Sequence, residues 1–84
     1  MKYRKKPVVI EAIKWDGNFN EIKSFCPLVI RIDDKAIGFN CLSISTLEGQ
    51  MIANFGDWII KGIAGEFYPC KNEVFQQSYE KSEE

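Results

Sequence analysis

Histidine is absent from this chain, and with it the commonest general base and the commonest metal ligand. Cysteine is scarce and odd in number: Cys26, Cys41 and Cys70 stand 15 and 29 residues apart, with no Cys-x-x-Cys pair. A secreted domain stapled by disulfides carries a denser, even set, so a reducing cytoplasm is the expected compartment. No apolar run approaches bilayer length, and the N-terminal residues are basic without a signal-peptide core. Neither sign of charge dominates, since 11 basic and 12 acidic residues leave a net charge of −1. No global field therefore draws the chain to polymeric nucleic acid or to a membrane, and neither is an expected partner.

What is present fits an ordinary globular domain: 84 residues, 45% hydrophobic and 27% charged. One domain over residues 1–84 is expected, with a basic arm at 1–6 and an acidic tail at 80–84. A domain this short buries only about 60% of the surface its unfolded chain exposes. Without disulfides or a metal, self-association is the common remaining way to bury more, so a homo-oligomer is expected.

The hydrophobic pattern predicts mostly strands. Pro7 to Trp15 (PVVIEAIKW) is rich in branched residues and apolar on both faces, which predicts a central strand. Asp16-Gly17-Asn18 turns the chain, and Asp16 or Asn18 caps a short helix carrying Phe19, Ile22, Phe25 and Cys26 on one stripe, stopped by Pro27. Leu28 to Ile32 reads as a second strand, ended by Asp33-Asp34, and Ala36 to Phe39 as a short third. Cys41 to Leu47 alternates, Glu48-Gly49 is a hairpin turn, and Gln50 to Phe55 returns with Met51, Ala53 and Phe55 inward. Trp58 to Lys61 and Glu66 to Cys70 follow across glycine turns, with Pro69 marking an edge, and Lys71 to Tyr79 has a weak helical stripe. The expected class is α+β: a small, strongly bent antiparallel sheet or partly open barrel with one or two short helices.

Catalytic chemistry finds little to work with. Three cysteines on three elements and no histidine argue against a metal site, and Asp33-Asp34 lacks the spacing of a calcium loop. Ser43 and Ser45 have no base, and no acids are placed to face each other across a cleft. The glycines do not form a phosphate loop. No cofactor and no catalysis are expected, although Cys70 beside Lys71, with Glu66, would be the first residues to test if turnover were found.

Binding remains. Aromatics make up 13% of the chain, and Tyr3, Trp15, Trp58, Phe67 and Tyr68 fall on or beside predicted strands. Rings stack on nucleobases, and Arg4, Lys5, Lys6, Arg31 or Lys61 could pair with phosphate; the same rings serve equally as the core of a small domain. A small phosphorylated ligand needs two or three cations rather than a stripe. The candidate ligand-binding set is Arg4, Lys5, Trp58, Lys61 and Tyr68.

Two blocks carry a resemblance. Lys2-Tyr3-Arg4-Lys5-Lys6-Pro7-Val8-Val9-Ile10-Glu11-Ala12 resembles the start of a family of small uncharacterised proteins encoded by bacteriophages and prophages. Gly56-Asp57-Trp58-Ile59-Ile60-Lys61-Gly62, continuing through Gly65-Glu66-Phe67-Tyr68-Pro69-Cys70-Lys71, is similar to the end of the same family, followed by a short helix and Tyr79-Glu80. The blocks cover somewhat under half the chain; Phe55 stands where proline is expected, and Asn72-Glu73 where Pro-Asp is. The resemblance implies a phage or prophage protein in the host bacterial cytoplasm, and by analogy of context and size an oligomeric sponge that sequesters a nucleotide immune signal, of cyclic oligonucleotide or cyclic ADP-ribose type. The alternatives are a protein-interaction module that inhibits or adapts a host protein, and a minor virion or assembly component.

Overall fold

The computed structural model describes residues 1–3 and 8–81. Six strands and two helices follow in the order β1 (Glu11–Lys14), α1 (Phe19–Phe25), β2 (Ile30–Asp34), β3 (Gly38–Thr46), β4 (Gly49–Ala53), β5 (Trp58–Lys61), β6 (Phe67–Cys70) and α2 (Asn72–Ser78). They form two open antiparallel sheets of three strands each, ordered β1-β5-β6 and β2-β3-β4, and the class is α+β.

The local chemistry that shapes these elements is specific. Asp16 Oδ1 accepts from the Asn18 N–H at 3.1 Å, and Asn18 Oδ1 accepts from the Glu21 N–H at 3.2 Å, so one residue forms the turn and the other caps α1. The β3–β4 hairpin turns at Leu47-Glu48, one residue earlier than the sequence suggests. Thr46 pairs with Gly49, whose φ of +101° takes the left-handed position that closes this type of hairpin. Pro69 lies on β6 at a sheet edge, where a missing N–H costs least.

Side-chain alternation assigns the faces of β1-β5-β6. Ile13, Ile59 and Phe67 point into the main core, where they meet Ile22 and Cys26 of α1, Val29, and Leu42, Ile44 and Ala53 of the second sheet, all around a fully buried Trp15. Ala12, Trp58, Ile60, Tyr68 and Cys70 point the other way. There α2 covers them: the Phe75 ring stacks on Trp58 at 4.1 Å and 8°, and the Tyr79 and Tyr68 hydroxyls stand 3.5 Å apart. Ile59 and Ile60 are adjacent and both 0% exposed because each faces a different layer. Each buried isoleucine contributes about 1.5–3 kcal/mol of transfer free energy.

Four expectations are corrected. Among the described residues the first strand is an edge that pairs with β5 alone, and its ladder covers Glu11–Lys14 rather than the nine residues from Pro7. The central strand β5 is itself four residues long and turns away at Gly62, so among the described residues Val8–Ile10 meet no strand on that side. Apolar residues on both faces of β1 reflect a sheet covered on both faces, not a central position. The two segments expected at 36–39 and 41–47 are one strand, β3, carrying Asn40 at φ +56° opposite a register shift in β2. Asp33-Asp34 belongs to β2. Of the three residues expected inward, Ala53 is buried and Met51 shares the inner face with its partner Ile44 while staying 40% exposed, whereas Phe55, beyond the end of β4, is 58% exposed.

Candidate functional site

The residues singled out by sequence do not converge. Arg4 and Lys5 lie outside the described residues. Trp58 and Tyr68 share the α2 face of β1-β5-β6, on neighbouring strands, while Lys61 stands opposite Glu11 and Phe67 and so belongs to the other face. One face of the Trp58 ring is filled by Phe75, and its Nε1–H donates to Asn72 Oδ1 at 2.9 Å. Partial burial, with the hydrogen bond to Tyr79 adding, pushes the Tyr68 phenol up to about 12. Both rings serve the packing of α2.

Beside them runs a groove of about 1080 Å³ between Val8–Ala12 and the C-terminal half of α2. Its charged lining among the described residues is Glu11, Glu80 and Lys81, two carboxylates against one ammonium, which disfavours an anion. The thiol reading also weakens: burial, and then the Asp57 carboxylate, push the Cys70 thiol up, away from an activated thiolate. Among the described residues no three histidine, cysteine or carboxylate side chains gather as metal ligands do.

A different cluster sets a cation and an exposed ring against one buried indole, where the end of β1 meets β2 and β3. The indole Nε1–H of Trp15 donates to the Asn40 carbonyl at 2.6 Å, joining the two sheets. Asn40 is held on every side. Its N–H donates to Asp33 Oδ1 at 2.8 Å, and its side-chain oxygen accepts from an Arg31 terminal nitrogen at 2.9 Å. These contacts, with the Trp15 bond, hold a non-glycine residue in the left-handed region, a conformation that costs about 1–3 kcal/mol and persists only where its surroundings over-determine it. The Arg31 guanidinium lies 5.8 Å from the Trp15 ring centre, and its Nε is 3.6 Å from Asp33 Oδ2.

On the same indole rests Phe55, at 6.3 Å between ring centres and a 65° interplanar angle. The turn that carries Phe55 is pinned: the Trp15 N–H donates to the Asp57 carbonyl at 2.8 Å, and the Gly56 N–H donates to the Trp15 carbonyl at 2.9 Å. Arg31 and Phe55 are thus an exposed cation and an exposed ring, both positioned by one buried indole. Among the described residues, guanidinium N–H groups beyond those engaged by Asn40 and Asp33 remain for an anion, with Asp33 as the competitor to be displaced.

Sequence reasoning named Arg31 among possible phosphate partners and Trp15 among the aromatics without joining them. The sequence pattern places Phe55 in the core. The available signal was Gly38-Phe39-Asn40, where asparagine two residues after glycine inside an otherwise alternating strand marks a possible left-handed kink. Comparison of this chain with protein-family models, with curated proteins and with solved structures finds no match.

Proposed function

We propose that the protein is a non-catalytic binding protein, of phage or prophage origin, that sequesters a small phosphorylated nucleotide of cyclic oligonucleotide or cyclic ADP-ribose type. The observation that carries this reading is the Trp15 cluster, with Arg31 on the indole, Phe55 beside it and Asn40 held at φ +56°. In this reading Arg31 takes a phosphate, Phe55 stacks a base, and the rigid Trp15–Asn40 clasp holds the two at a fixed separation, which lowers the ordering cost of binding. Native mass spectrometry with cyclic dinucleotides, cyclic trinucleotides and cyclic ADP-ribose isomers tests it. An integral ligand mass that Arg31→Ala removes supports the reading, and indifference to the whole panel rejects it.

A second reading, docking on a host protein, is favoured by a separate observation. Among the described residues 14 large hydrophobic side chains are exposed, against 10 buried hydrophobic residues. Ile30 and Ile52 lie either side of Ser43 across the outer face of β2-β3-β4, 60% and 40% exposed. These two exposed isoleucines, on a face that also carries Ser43, Ser45 and Gln50, are the apolar part of the contact surface in this reading. A host-lysate pull-down that returns one protein, and loses it with Ile30→Lys, would replace the first reading if the nucleotide panel gave nothing.

A further inference from the structure

The β1 edge is a strand left half-used. Val8, Val9 and Ile10 are branched residues suited to a strand, yet the ladder to β5 starts only at Glu11. Val8 and Val9 are 47% and 59% exposed. The backbone polarity of this edge follows from Trp15, whose N–H and carbonyl both bond toward the turn before β5. Alternation along an antiparallel strand sends the N–H and C=O groups of Lys14, Ala12 and Ile10 the other way, to the side of β1 that carries no strand among the described residues. Such a row of unpaired groups, bordered by apolar side chains, is a template for another strand.

We propose that this edge pairs antiparallel with the same segment of a second copy, about a two-fold axis through Ile10, joining two three-stranded sheets into one of six. Symmetry restricts the choice of register. A two-fold axis that relates neighbouring antiparallel strands stands normal to the sheet, so opposed residues have sequence numbers of equal parity. An axis through Glu11 sets carboxylate against carboxylate, which is destabilising. An axis through Ala12 puts Val8 opposite Asp16 in the turn and Ile10 opposite Lys14. An axis through Val9 pairs Val9 with itself and Val8 with Ile10, but by sequence number it sets Ala12 against the charged Lys6.

The axis through Ile10 pairs Val8 with Ala12, Val9 with Glu11 and Ile10 with itself. It employs all three unpaired branched residues and keeps apolar side chains opposed on the α2 face. The segment is self-complementary in this register, which favours a second copy over an unrelated strand. This pairing is independent of the ligand seat at Trp15, which lies at the other end of β1.

Sedimentation equilibrium of the full chain tests it. The expected species has twice the 9.7 kDa chain mass, and Ile10→Lys returns it to the chain mass with an unchanged far-ultraviolet circular dichroism spectrum. Ile10→Pro does the same, because the residue makes no ladder bond to β5; if the proline variant loses its spectrum, the lysine variant decides. In a Cys70→Ser background, Ile10→Cys is expected to form an interchain disulfide on mild oxidation, and Val9→Cys is not. A chain that stays monomeric throughout its soluble range overturns the proposal, even if it captures another extended peptide at this edge. A dimer that survives Ile10→Lys, or that cross-links through Val9→Cys instead, overturns it equally.

Discussion

The two sheets have the same number of strands and opposite relations to solvent. In β1-β5-β6 the central strand buries neighbouring residues, Ile59 and Ile60, because the main core lies on one side and α2 on the other. In β2-β3-β4 the central strand buries Leu42 and Ile44 on its inner face, while Ser43 and Ser45 look outward and join Gln50 in a surface hydrogen-bond chain of 2.8 and 2.6 Å. A short helix is the whole difference. The sheet that has one reads as a continuous apolar run, and the sheet that does not reads as an alternation.

The largest expected effect sharpens that contrast. Ile59→Ala removes a side chain wholly inside the main core and should cost about 2–5 kcal/mol, whereas Ile52→Ala on the open face should stay within about 0.5 kcal/mol. Urea unfolding of the two variants measures both; equal losses would mean that the outer face of β2-β3-β4 is covered in solution. Next comes Trp15→Phe, which keeps the ring but leaves the Asn40 carbonyl without its donor. Loss of that partner should cost about 1–3 kcal/mol. Asn40→Ala is expected to cost about 1–2 kcal/mol, since alanine tolerates the left-handed region poorly, and Asn40→Gly should recover part of that loss.

The smallest effect concerns α2, the element that separates the two sheets in behaviour. Burial and the contact with Tyr79 raise the folded pKa of Tyr68 to about 12, above the ordinary tyrosine value of about 10 that stands for the unfolded chain. A raised folded pKa stabilises fully below the unfolded value and ceases to do so as pH climbs through the folded one. Near-ultraviolet circular dichroism from the Trp58–Phe75 stack should therefore hold up to about pH 10 and decline toward about 12, a change that Tyr68→Phe should diminish. Decline at neutral pH would show that α2 is held by something other than this contact.

The features legible in sequence were the local ones. Asn18 as cap, Pro27 after α1, Gly56 in a turn and Pro69 at an edge each act through the backbone of one or two residues, and each stands where its chemistry places it. Three features were not legible because they depend on distant residues. The length of β1 is set by where β5 turns away, some fifty residues later. The exposure of Phe55 follows from the turn pinned to Trp15, and the meeting of Arg31 with Trp15 follows from the kink at Asn40. Trp58 and Tyr68 lie on strands as their pattern predicts, but what occupies their face is a helix with only a weak pattern of its own.

The most direct test of the ligand reading is a calorimetric titration of the wild-type chain and of Arg31→Ala with the nucleotide that native mass spectrometry selects. A charge-assisted hydrogen bond contributes about 1.5–3 kcal/mol, so the variant is expected to bind roughly ten- to a hundredfold more weakly, while retaining the wild-type fold. Binding of equal strength by both proteins would contradict the placement of the ligand at the Trp15 cluster.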